Sequence, residues 1–265
     1  MADKYRWDAR DYHASSSTQE KWGMDLLSGL KLSGMEMVLD LGCGDGKISA
    51  QIAEIVPYGS VLGIDSSPEM IEYAKKTHPK KECPNLDFFC CDMRTIDYTE
   101  DFDRVFSNAA MHWVKDQGRV LRNIYQSLKP GGLMVIQMGG RGNAGDLFAC
   151  ITPLMETKPW IRYFQDFEFP YAFPDPDEYV TLLRKTGFTK CIVQLKGKDM
   201  VHEGLEGFSG WIRTTWMPYL DRLPSRLRSR FIIAIYREYT KLYPPDSFGN
   251  IHIAMVRLEA IAERH

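Results

Sequence analysis

No apolar run in this 265-residue chain approaches the ~20 residues needed to cross a bilayer. The opening Met1-Ala2-Asp3-Lys4-Tyr5-Arg6-Trp7 is charged and aromatic and lacks the apolar stretch of a secretion signal. No excess of one charge exists either. Lys and Arg number 33 against 35 Asp and Glu, a net −2, so the basic footprint of a nucleic-acid or anionic-membrane binder is missing. Cysteine is sparse. Cys43, Cys83, Cys90, Cys91, Cys150 and Cys191 form no Cys-x-x-Cys pair and no paired framework, so no disulfide scaffold and no metal site is expected. A thiol site built on Cys83, Cys90 and Cys91 has no spacing to support it. No repeat and no low-complexity tract is visible. Apolar residues at 44% and charged residues at 26% describe an ordinary globular chain. A cytoplasmic location is the default expectation.

Between residues 36 and 138, short apolar runs alternate with amphipathic stretches. Met37–Leu41 reads as a buried strand, and 47–56 as a helix with Ile48, Ile52 and Ile55 on one face. Residues 60–64 form the next strand. Pro68 suits the first turn of a helix running to about Thr77, with Ser66 or Ser67 as its cap. Strands are expected at 86–90, 102–106 and 133–138, with a helix at 117–128 stopped by Lys129-Pro130-Gly131-Gly132. This rhythm predicts an α/β fold, a parallel sheet with helices on both faces. Beyond Gly142 the rhythm breaks. Residues 143–174 look like an aromatic, proline-rich insertion, 176–186 a helix, 190–195 a strand, and 203–243 two helices split near Pro224. The tail at 251–264 is open: its Ala and Glu favour helix, whereas completing such a sheet would need a strand. The N-terminal segment reads as helical from about 18 to 30.

The sharpest signal is Val38-Leu39-Asp40-Leu41-Gly42-Cys43-Gly44-Asp45-Gly46-Lys47, a strand running into a glycine turn that opens a helix. Glycine is needed where a backbone turns sharply against a ligand. In open α/β sheets the ligand lies beyond the C-terminal strand ends, where strand order reverses. Asp65 ends the second strand, where a carboxylate can accept both hydroxyls of an adenosine ribose. A dinucleotide dehydrogenase shares these features, but its G-x-G-x-x-G turn would require glycine where Lys47 stands.

Taken with Asp92, Phe102-Asp103 and Leu128-Lys129-Pro130-Gly131-Gly132, this set resembles the class I S-adenosylmethionine (SAM)-dependent methyltransferases over residues 36–138. The resemblance implies a Rossmann-like seven-stranded sheet with an antiparallel last hairpin, and SAM as cofactor with S-adenosylhomocysteine as product. It implies Gly42 and Gly44 under the methionine moiety, Asp65 with neighbouring Ser66 at the ribose, and Asp92 with Met93 at the adenine. Asp40 would hold the loop or the methionine amino group. The divisions implied are a helical lid at 1–33, a cofactor-binding core at 34–200 carrying the insertion, a helical substrate cap at 201–250, and a last strand at 251–265.

A looser similarity, to the trans-aconitate methyltransferase family, extends over nearly the whole chain. It is carried by Ser107-Asn108-Ala109-Ala110-Met111-His112-Trp113, by Trp211-Ile212-Arg213-Thr214, and by the tail from Tyr243-Pro244 to Arg257; Ser15-Ser16-Ser17-Thr18-Gln19 resembles a segment that closes over the methyl donor. The implied reaction is O-methylation of a small carboxylic acid. A carboxylate is ionised at neutral pH, so such an enzyme mainly aligns and desolvates its reactants. Gln19, His112 and Trp113 are the candidate groups holding the carboxylate, with Asn108 nearer the donor. Trp211 and Arg213 are candidate acceptor contacts, an arginine fork suiting a second carboxylate. Each has a bland alternative: a helix cap for Gln19, core packing for Trp113, a structural histidine for His112, a solvated arginine for Arg213. Methylation at carbon or nitrogen with His112 as base, and a SAM-binding protein without turnover, remain as alternatives. The partner expected is a small molecule, with neither nucleic acid nor membrane. The run Arg222, Arg226, Arg228 and Arg230 leaves an acidic carrier protein or coenzyme A as a minor option.

Overall fold

The computed structural model describes residues 7–15 and 17–265; the side chains of Ala14, Ser15, Ser17 and Gln19 lie outside that description. Two helices open it, α1 (Ala9–Ser15) and α2 (Ser17–Leu27), followed by a 3-10 turn, Ser28–Leu30. Then come β1 (Met37–Leu41), α3 (Lys47–Ile55), β2 (Ser60–Asp65), α4 (Pro68–Thr77), β3 (Leu86–Cys90) and β4 (Phe102–Asn108). A 3-10 turn at Met111–Trp113 precedes α5 (Gln117–Ser127), β5 (Leu128–Gly139) and α6 (Gly145–Met155). After them lie α7 (Pro176–Thr186), β6 (Phe188–Glu203), α8 (Gly204–Thr215), α9 (Met217–Leu220), α10 (Ser225–Leu242) and β7 (Asn250–Arg264).

The seven strands form one sheet in the order β3-β2-β1-β4-β5-β7-β6. Strands β1 to β5 are parallel, and β7 runs antiparallel to β5, pairing Leu133 with Glu263 through to Gly139 with Arg257. The chain steps outward from β1 to β3 and then returns to place β4 on the other side of β1. The crevice between the ends of β1 and β4 is therefore the switch point where ligands bind in such sheets.

Side chains alternate between faces along each strand, and two cores result. Leu39, Leu41, Val105, Met134, Ile136 and Leu258 pack with α5 and α7 on one face. Val38, Val61, Phe106 and Val135 pack with α2, α3 and α4 on the other. Polar side chains sharing the second face's register are Asp40, Asn108, Gln137, Arg257 and Glu259, which form a row along the sheet. The Phe102-Asp103 and Leu128-Lys129 motifs lie at the opposite strand ends. There Asp103 accepts from Lys129 Nζ at 2.9 Å and from the Met37 N–H at 2.9 Å, so this pair braces β1, β4 and β5 away from the ligand edge.

Two compact units emerge. The first comprises residues 1–141, 171–196 and 257–265; the second, 142–170 and 197–256. The aromatic insertion and the later helices thus belong together. Within the second unit Phe231 packs on Trp160 (4.9 Å between ring centres) and Phe164 (5.2 Å), Tyr219 on Phe167 (4.6 Å), and Phe148 on Trp216 (4.7 Å). Arg222 ties the two pieces by donating to the carbonyls of Tyr163 and Gln165 at 3.0 and 2.6 Å.

Several local expectations need correction. The tail is strand throughout, because its backbone groups pair with β5 and this outweighs the helix preference of Ala and Glu. Residues 203–243 form three helices, breaking at Trp216 as well as at Pro224. The helix before residue 18 was not foreseen. Ser67, not Ser66, caps α4, its Oγ accepting from the Met70 N–H at 3.2 Å. Among the described residues no helix is long and apolar enough to cross a membrane, no group of ligand-type side chains could hold a metal ion, and all six cysteines are free.

Candidate active site

The glycine turn between β1 and α3 is built for two kinds of closeness. Gly42 has φ of +74° and Gly46 +81°, in the left-handed region where side chains are strained. A Cβ on Gly42 would fall 2.2 Å from the Ala110 Cβ, and one on Gly46 2.6 Å from the Phe88 ring. Those two glycines serve internal packing. Gly44, at φ +56°, differs: a Cβ there would meet only the Tyr12 ring at 3.7 Å, so its bareness faces the cleft. That cleft encloses about 400 Å³, open to solvent, and is lined by Tyr12, Glu20, Asp40, Gly42, Gly44, Asp45, Lys47 and Asn108 among others.

Asp40 sits on β1 on the α3 face, 2% exposed, where Ser49 Oγ of α3 donates to it at 2.6 Å. Burial pushes its carboxyl up to about 7, against the pull of that hydrogen bond. Asp65 accepts the Gly44 N–H at 3.1 Å and the Ser67 N–H at 2.8 Å. Burial raises its pKa while the amides of Ser67, Gly44 and Ser66 oppose the rise. Ser66 itself is exposed beside it. Met93 comes within 3.6 Å of the place a Gly42 Cβ would occupy. Asp92 is already engaged. Arg94 grips it through Nε at 3.0 Å from each oxygen and through Nη2, and that hydrogen bonding holds the carboxyl below its ordinary range.

On the acceptor side, Ala109 takes the left-handed conformation (φ +55°) and turns the chain out of β4 into the 3-10 turn that carries His112 and Trp113. His112 Nδ1 accepts the Gly139 N–H at 3.4 Å, so the neutral ring carries its proton on Nε2. Burial, reinforced by the Arg257 charge, holds the imidazole pKa well below its usual value. Trp113 meets Trp7 and Tyr171 edge-on at 5.4 and 5.0 Å. Gln19 lies on α2, but its side chain is outside the described residues. Asn108 ends β4, lines the cleft, and abuts Gly23 of α2. Trp211 and Arg213 sit on α8 in the second unit. Trp211 is 4% exposed, stacked on His202 at 5.0 Å and against Trp216 at 5.5 Å, a core position there, whereas Arg213 faces outward.

Two cleft residues, Tyr12 and Asp45, escape sequence reading. Tyr12 lines the cleft from α1; burial raises its phenol pKa, and the nearby Asp45 and Asp65 charges add to this. Asp45 lies 2.7 Å from His13 and 3.6 Å from Lys47, and Lys47 Nζ also donates to the His13 carbonyl at 2.9 Å. These bonds tie α1 to the glycine turn. Arg257, whose charge acts on His112 and Tyr12, is buried on β7.

A glycine turn at the switch point, a carboxylate closing the second strand, and lysine rather than the glycine of a dinucleotide turn at position 47 fit a Rossmann-like fold for an adenosyl ligand other than a dinucleotide. Comparison with known proteins narrows the class. Residues 38–132 match the family model described as a methyltransferase domain. The chain is 29% identical to the trans-aconitate 2-methyltransferase of Deinococcus radiodurans, over 97% of this chain and 98% of the relative. It is 30% identical to an uncharacterized methyltransferase of Schizosaccharomyces pombe, over 79% of this chain and 82% of that one. Its fold superposes on the YcgJ protein of Bacillus subtilis with a TM-score of 0.65 at 16% identity, covering 93% of this chain and 99% of the other. The chain belongs to the class I SAM-dependent methyltransferases and is an enzyme of that family.

Proposed function

We propose that this enzyme transfers the methyl group of SAM to a carboxylate oxygen of a small organic acid, giving a methyl ester. The observation carrying this reading is the state of His112. Its Nδ1 is taken by the Gly139 N–H, which leaves Nε2–H as a donor, and burial keeps the ring neutral. A neutral donor suits an acceptor that arrives already anionic, whereas methylation at carbon or nitrogen would ask the same ring to remove a proton. Relatives of nearly equal length are named trans-aconitate 2-methyltransferases, which supports a carboxylic acceptor.

SAM, when bound, supplies an electrophilic methyl group on a sulfonium. The bare Gly44 and the lone pairs left on Asp65 fit the methionine chain and the ribose hydroxyls, with Gly42 below and Ser66 beside. Asp40 fits the amino group. Met93 fits the adenine face and Asp92, held by Arg94, the adenine edge. Asn108 lies between donor and acceptor. His112 Nε2–H orients the acceptor carboxylate, and the aromatic rings of Trp7, Trp113 and Tyr171 exclude water around it, which strengthens that hydrogen bond; the role expected of Gln19 falls on a side chain outside the described residues. The N-terminal segment, 1–33 in the sequence reading, is the lid in this reading, and within the second unit Trp211 is a packing residue and Arg213 is exposed. Six free thiols fit the cytoplasm. A metabolite extract incubated with methyl-labelled SAM tests the reading: label should appear in one or a few organic acids, and label confined to amines or to no small molecule would refute it.

A further inference from the structure

The cleft at the glycine turn is acidic. Glu20, Asp40 and Asp45 line it, and Lys47 is the one cation among its described lining residues. Lys47 stands where a dinucleotide turn would carry glycine, and it is the first residue of α3. The first turn of a helix lies at the positive end of its dipole and favours acidic side chains over basic ones. Helix α3 has no acidic residue in that turn and opens on a lysine instead. The Lys47 side chain is drawn inward, only 16% exposed. Its Nζ donates to the His13 carbonyl at 2.9 Å and lies 3.5 Å from Glu20 and 3.6 Å from Asp45. Each of those carboxylates has a second partner. Gln51 Nε2 donates to Glu20 at 3.3 Å, and the His13 ring lies 2.7 Å from Asp45.

SAM and S-adenosylhomocysteine both end in an amino acid, with an ammonium and a carboxylate. Asp40 fits the ammonium and Asp65 the ribose, and neither can take the carboxylate. An anion entering beside Glu20, Asp40 and Asp45 is repelled unless a cation faces it. The backbone of the turn does not supply that charge, and the Gly44 N–H already donates to Asp65 at 3.1 Å. Lys47 supplies it from the cleft wall, three residues beyond Gly44. An ammonium is a compact charge with three donors on a flexible stem. Its contacts with Glu20 and Asp45 are longer than ordinary hydrogen bonds, so a third carboxylate can exchange with them at little cost.

We propose that Lys47 binds the carboxylate of the cofactor's methionine moiety. The inference rests on SAM as the cofactor and is independent of the ester reading. The position that departs from the dinucleotide turn then recognises the amino-acid end of the ligand. The site accordingly prefers adenosyl ligands that keep this carboxylate over those that lack it. Because Nζ also holds the His13 carbonyl, the same group joins the bound cofactor to α1.

Calorimetry with S-adenosylhomocysteine and with its decarboxylated analogue, which lacks only that carboxylate, tests this without turnover. Wild type should bind S-adenosylhomocysteine more tightly than the analogue. Lys47→Met should lower S-adenosylhomocysteine affinity about tenfold or more, the scale of a charge-assisted hydrogen bond, and should not weaken the analogue. Lys47→Gln keeps a donor toward the His13 carbonyl but removes the charge, and it should narrow the preference as well. Equal binding of the two ligands by wild type, a folded variant that keeps the full preference, or variants that weaken both ligands alike would each overturn the assignment. The last result would mean that Lys47 acts only through the N-terminal helices, and failure of both variants to fold would likewise make it a structural brace. If wild type binds neither ligand, the cofactor reading fails and the assignment with it. If S-adenosylhomocysteine binds and its preference ignores Lys47, only the assignment fails.

Discussion

Asp65, the last residue of β2, accepts the backbone N–H of Gly44 at 3.1 Å, so the carboxylate proposed for the ribose also holds the loop proposed for the methionine chain. On that proposal, two parts of the cofactor site are joined by one hydrogen bond in the ligand-free protein. Asp65→Ala should therefore lower S-adenosylhomocysteine affinity at least tenfold, since hydrogen bonds to charged groups contribute about 1.5–3 kcal/mol each. The ligand-free melting temperature should stay within a few degrees. Titration calorimetry checks the first outcome and a thermal melt the second; wild-type affinity in the variant would place the ribose elsewhere.

Gly42 and Gly131 both have positive φ, +74° and +76°, yet they predict different losses. A Cβ on Gly42 collides with the Ala110 Cβ, whereas one on Gly131 meets nothing within 4 Å. Gly131→Ala should cost about 1–2 kcal/mol from the left-handed backbone alone. Gly42→Ala should cost more, from the clash added to the strain, and should abolish cofactor binding. Urea unfolding of the two variants compares them directly; equal costs would contradict the packing role of Gly42.

Asp40 predicts a pH signature. Its folded pKa, about 7, is raised above the unfolded value near 3.8, so the folded state binds this proton more tightly. The stabilisation this confers is complete below the unfolded pKa and is lost as pH rises toward and through 7. The loss is bounded by about 4 kcal/mol. Asp40→Asn should flatten stability between pH 4 and 8 relative to wild type and be the more stable protein at pH 8. Melting curves across that range decide it, and parallel curves would show that Asp40 does not titrate there.

His112 is expected to act as a donor, which separates two substitutions. His112→Gln keeps an N–H donor near the Nε2 position and should retain activity within about tenfold, whereas His112→Ala should lose about 10–100-fold. Because burial holds the ring neutral, the wild-type kcat should show no limb near pH 6.5 from this residue. Equal losses in both variants, or such a limb, would make His112 a base.

Much of this was readable in the chain. Strands β1, β3 and helices α4 and α7 follow from apolar runs bounded by proline and glycine, and the 42–46 turn declares itself because only glycine tolerates its backbone. Helix α1 was not readable: seven residues carry too little periodicity. Strand β6 continues to Glu203 through Lys196-Gly197-Lys198-Asp199, a polar stretch that looks like a loop. The second unit is assembled from segments 142–170 and 197–256, and aromatic residues far apart in sequence carry no mark of which will meet. Arg257 stands in the tail that carries the family similarity, but its burial is visible only once β7 pairs with β5. Asp92 looked free for adenine, and only the fold reveals how firmly Arg94 holds it.

A methyl ester product is cleaved by mild base, whereas N-, C- and ether O-methyl groups are not. Product carrying label in the transferred methyl group is isolated and treated with mild base. Volatile labelled methanol should be released. Label retained on the product would mean an N-, C- or ether O-methyl group and would contradict the carboxylate assignment.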